Sequence, residues 1–175
     1  MKNLLIIVLI FSLSAVHAQK KPSFTNIPLA TSEDYANAEA SALEAANYIL
    51  SMPLPKQNSA KNEAMHFLVE WMKGTPDYTF PLNEPIGTIS QDNPALLVLF
   101  MAGMTKYVLE NKKGKANDQE DISFNGYKIL ADYCGNPENK VKVTGELRNL
   151  VQSKKDGNLK DYLEEFQEEP EGKKV

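Results

Sequence analysis

Cysteine, histidine and tryptophan are nearly missing from this chain, which has one cysteine, two histidines and one tryptophan in 175 residues. A single cysteine, Cys134, excludes any internal disulfide. Small exported domains often rely on such staples, so this one must hold by packing. The two histidines are His17 and His66, and the first lies in an N-terminal stretch expected to be removed. A di-iron bundle site needs two Glu-x-x-His units, and only "EAMH" (Glu63 to His66) is present. H-E-x-x-H and C-x-x-C-H are missing, as are G-x-S-x-G, the phosphate-cradling G-x-x-x-x-G-K-[ST] and G-x-G-x-x-G. Nothing points to a cofactor. Excess positive charge is missing too. The formal net charge is −4, and binding to a phosphate backbone rests on Lys and Arg neutralising it, so nucleic acid is set aside as a partner. No N-x-[ST] sequon occurs.

What is present begins with an address. Lys2, the apolar run "LLIIVLIF" (Leu4 to Phe11) and "AVHA" (Ala15 to Ala18) make a signal-peptide pattern over residues 1–18, with cleavage expected before Gln19. Removal would leave 157 residues and take the net charge to −5, since Lys2 is the charged residue lost. The residue expected at the new N-terminus is Gln19, not a cysteine that could carry a lipid. The expected location is periplasmic or secreted, with no membrane span after cleavage. A spanning helix needs about 20 apolar residues. Hydrophobic residues make up 42% of the chain, enough for one packed domain.

Residues 19–31 read as a flexible or loosely docked segment, residues 32–168 as the folded domain and 169–175 as a charged tail. The first helix is expected from Thr31 or Ser32, either of which can cap it, to about Leu50. Its stripe is rich in alanine (Ala38, Ala42, Ala45, Ala46), which lets a neighbour approach closely. "MPLP" (Met52 to Pro55) stops it. The second helix, about Ser59 to Lys73, places Phe67, Leu68, Trp71 and Met72 on one side and Glu63, His66, Glu70 and Lys73 on the other, with Gly74 as its C-terminal cap. Asn93–Pro94 opens a third, which is apolar on all sides from Ala95 to Met104 and therefore central. Asn125–Gly126 reads as a hairpin turn, but the longer pattern (Tyr127, Leu130, Ala131, Cys134) favours a helix over about 119–134. Further helices are expected at about 137–153 and 158–168. The expected fold is all-α, five to six helices in an irregular bundle or stacked helical hairpins.

Between the second and third helices lies "GTPDYTFPLNEPIGTIS", Gly74 to Ser90, with three prolines and two glycines. It reads as a long loop that cannot itself be helical. Tyr78, Phe80 and Leu82 alternate, so an extended chain would turn all three one way. Either this strap covers the core, or it frames a groove with Trp71 and Tyr107. Long irregular loops are often functional, and these four residues (Trp71, Tyr78, Phe80, Tyr107) are the candidate binding residues. Glu63, His66 and Glu70 share a helical face, but it is the polar one and reads as solvated surface. Cys134 sits on an inward stripe and reads as a small apolar residue rather than a nucleophile paired with His66. Asp77 with Glu84 could serve a hydrolase only if the fold set them across a cleft.

"WMKGTPDYTF", "LLVLFMAGMTKYVLENK" and "ILADYCGNPENKV" are similar to small exported all-helical proteins of unknown function from Gram-negative bacteria. The resemblance implies export and a helical fold, and no catalytic residues. The expected function is a non-enzymatic interaction or structural module of the cell envelope with a protein partner there. The alternatives are a carrier of a small apolar ligand beneath the 74–91 loop, or a hydrolase using carboxylates.

Overall fold

The computed structural model describes residues 22–56, 58–112 and 118–168. The signal-peptide and charged-tail assignments lie outside these residues. Within them the chain is all-helical, with eight α-helices in one compact arrangement and no strand. The expected five to six helices therefore undercount the fold.

The first expected helix is two: α1 (Ser32–Asn37) and α2 (Glu39–Leu50), which meet at Ala38. Thr31 caps α1 in a reciprocal box with Asp34, whose carboxylate accepts from the Thr31 and Ala30 amides and is held below its ordinary pKa by them. The alanine stripe of α2 (Ala42, Ala45, Ala46) is fully buried, and α2 packs against both α3 (Ser59–Gly74) and α5 (Ala95–Glu110). The segment before α1 is anchored, because Phe24 is buried and stacks on Phe67 at 5.8 Å.

The turn between α2 and α3 hides a device that periodicity does not signal. Lys61 is 2% exposed, and its ammonium donates to the carbonyls of Pro53 (3.1 Å) and Leu54 (3.3 Å). Tyr133 donates to the preceding carbonyl, that of Met52, at 2.6 Å. Three successive carbonyls are thus satisfied from beneath, which buried polar backbone requires. Burial without a carboxylate pushes the Lys61 pKa down.

Helix α5 is central, as its all-round apolar sequence demands, and touches α2, α3, α4 (Glu84–Ser90) and α6 (Gln119–Gly135). Its crossing with α6 is close because Gly103 and Gly126 face it. A Cβ on Gly103 would lie 3.1 Å from the Gly126 carbonyl, and one on Gly126 would lie 2.7 Å from Met104 Cγ. Gly126 is therefore a packing glycine inside a helix, not a hairpin turn. Gly74 is similar. It is the last residue of α3 rather than a cap beyond it, and the Tyr35 ring occupies the space a Cβ would need.

Two expectations fail locally. Glu84–Ser90, assigned to a non-helical loop, forms α4, with Pro85 in its first turn, where a missing amide proton costs nothing, and Ile86 and Ile89 buried. Residues 137–153 are not one helix: Pro137–Asn139 make a 3-10 turn, Lys140 takes a left-handed conformation, and α7 starts only at Gly145. Thr144, inside the range expected to be helical, is instead the exposed residue that precedes α7. Helix α7 (Gly145–Asp156) packs on α6, and α8 (Leu159–Glu168) closes on α7 and α4.

Candidate functional site

The chain from Thr75 to Gln91 divides at Asn83. The first part is extended and aromatic. Tyr78 and Phe80 each lie 6.0 Å from the Trp71 ring and 6.3 Å from one another. Trp71 is fully buried, and its indole donates to the Tyr35 carbonyl at 3.0 Å. Tyr78 donates to Glu39 at 2.9 Å, and Glu39 also pairs with Lys112. Burial first, and then the Glu39 carboxylate, push the Tyr78 phenol up to about 12. Three of the four sequence candidates thus meet in one aromatic cluster, and the inner face of that cluster is core. The alternation does not extend to Leu82, which is exposed. Tyr107 is not part of the cluster. It is half-buried on α5, where burial and the carboxylates of Asp121 and Asp118 raise its pKa.

The second part of the connection borders open space. Pro81 and Asn83, the first two turns of α6 and the α8 side chains Lys160, Leu163 and Glu164 surround a cavity of about 490 Å³. Its floor is a bonded chain of side chains. Tyr127 donates to Asn83 Oδ1, and Asn83 Nδ2 donates to Ser123 Oγ at 3.1 Å. Tyr127 and Ser123 are one helical turn apart, so α6 presents both on the same face. Tyr127 is 1% exposed and tilts against Phe100 at 4.5 Å. Its burial raises its pKa further above neutral, and its hydroxyl proton goes to Asn83. The walls are Pro81, Phe124 and Leu163; the mouth carries Gln119, Glu120, Asp121 and Glu164, with Lys160 3.5 Å from Glu164.

The sequence reading missed all of these residues. Asn83 immediately before "EP" was a legible helix start, but nothing in a linear pattern joins it to residues 40 and 44 positions later. Asp77 and Glu84 are both exposed, and neither lines the cavity. Cys134 is buried and its thiol pushed up to about 12 by that burial, whereas His66 is exposed, so the two share no surface. Among the described residues no three His, Cys, Asp or Glu side chains gather as metal ligands, and no helix is long and apolar enough to cross a membrane. No protein-family model, curated protein or solved structure matches the chain.

Proposed function

We propose that this chain is an exported, non-enzymatic recognition module of the cell envelope, and that it takes its ligand in the cavity bounded by Asn83, α6 and α8. The observation that carries this is the contrast in packing along one connection. Tyr78 and Phe80 close over Trp71, while five residues or fewer downstream Pro81 and Asn83 border an open cavity of about 490 Å³. That volume falls within the usual range for small-molecule sites, on the order of 300–1,000 Å³, and such sites combine apolar walls with a few placed polar groups. The carrier reading moves with this proposal, from beneath Tyr78 and Phe80 to the Asn83 end of the 74–91 connection.

The fixed floor supports recognition over reaction. Its hydroxyl and amide groups bond one another, and the one buried thiol is far from ionising. Export rests on the 1–18 pattern, and N-terminal sequencing of the secreted chain should begin at Gln19. Native mass spectrometry of protein purified gently from its own envelope tests the site. A co-purifying small mass should be present on the wild type and on Phe80→Ala, and lost from Phe124→Ala. A mass retained by Phe124→Ala at full occupancy would place the site elsewhere.

A further inference from the structure

We infer that the cavity selects a small organic cation, an ammonium group carried on an aryl or short alkyl body. This rests on the reading of the cavity as a recognition site. Its size and its built floor make the site; the carboxylates set the sign of the charge.

The floor comes first. Ser123 is 7% exposed and Tyr127 1%, so both are held rigidly by the core. Asn83 Oδ1 and Ser123 Oγ each accept one bond within the floor, and each oxygen has a second lone pair. A ligand that donates N–H groups matches those acceptors.

The walls come next. Phe124 is half-buried at the cavity, and an aromatic ring attracts a cation within about 6 Å of its centre. Leu163 supplies apolar surface for the body of the ligand.

The mouth decides the sign. Among the described residues lining the cavity, Glu120, Asp121 and Glu164 outnumber the one cation, Lys160, which is already beside Glu164. Glu120 and Asp121 also suit the positive start of α6. Glu164 lies in the middle of α8, where its partner is Lys160 one turn earlier, and it adds a third carboxylate to the mouth. Carboxylates around a low-dielectric cleft focus a negative potential into it and raise the local concentration of cations.

Three probes with one body separate the possibilities: benzylammonium, benzyl alcohol and benzoate, titrated into the protein while the backbone amide signals of Ser123 and Phe124 are followed by NMR. Benzylammonium should shift both signals saturably. Its Kd should rise about tenfold in Asp121→Asn/Glu164→Gln and several-fold when salt goes from about 0.02 M to about 0.5 M, because exposed charges are screened. Circular dichroism should show the variant folded, since both substituted side chains reach solvent. Equal or stronger binding of benzyl alcohol or benzoate at the same signals would overturn the cation assignment and leave the recognition site standing. An unchanged Kd in the double variant would also overturn it. No shift with any of the three probes would remove the recognition reading as well.

Discussion

Thr75–Leu82 and Asn83–Gln91 are consecutive pieces of one connection, yet they solve opposite problems. The first has no helix of its own and is held by side chains, with two aromatic rings against Trp71 and a phenol on Glu39. The second forms α4 and leaves Asn83 at its start to bond Ser123 and Tyr127. Where aromatic side chains fill the space, nothing is left for a ligand. Where short polar side chains bond one another, volume remains. The residues that look most like a binding site in a sequence are therefore the ones that packing has already engaged.

The largest effect that could break this contrast is on stability. Trp71→Ala should cost about 3–5 kcal/mol, and Phe80→Ala about 2 kcal/mol because its ring is only partly buried. Urea unfolding measures both, and a Phe80→Ala curve matching the wild type would turn the aromatic half into a free recognition surface. At the floor, Asn83→Ala should cost about 1–3 kcal/mol, since the buried Tyr127 hydroxyl loses its acceptor. Adding Tyr127→Phe should recover part of that loss, because an unmet buried donor then disappears. If the double variant is less stable by the full sum, the floor is not one bonded unit.

A smaller effect depends on pH. The Tyr78 phenol binds its proton more tightly in the folded state, with a pKa of about 12 against an unfolded value of about 10. Its contribution is therefore complete below about pH 10 and fades as pH rises toward 12. Tyr78→Phe should lose about 1 kcal/mol near pH 8 and flatten the decline above pH 10. Cys134, away from both halves, should react with thiol reagents only as fast as the protein opens, and rapid native labelling would contradict its burial. The smallest effect belongs to the outer face of α3. Lys73→Ala, which removes an exposed pair with Glu70 at 3.1 Å, should change the melting curve by no more than about 0.5 kcal/mol.

The sequence reading of the fold was good where periodicity was long. The stripes of α3 and α6 identify their buried faces, and the unbroken apolar run of α5 makes it central. It was poor where an element is short or where a residue's role lies across the core. Prolines and glycines argued against any helix in Glu84–Ser90, but a first-turn proline is compatible with one and Ile86 and Ile89 reward it by burial. The helix expected through Gly126 is present, but the reason for a glycine there, the close approach of Phe100 and Met104, was not legible. None of the cavity residues was visible as a site; only the aromatic half of the connection was, and Tyr107 was grouped with it by residue type alone.

By itself the sequence determined the all-helical class, the faces those helices bury and the position of the central one. These follow from spacing along the chain, because local backbone geometry repeats every 3.6 residues. Only the tertiary structure decided that the connection has a filled half and an open half. Whether a side chain meets a ring or a void depends on partners some forty positions away, and no local periodicity carries that distance.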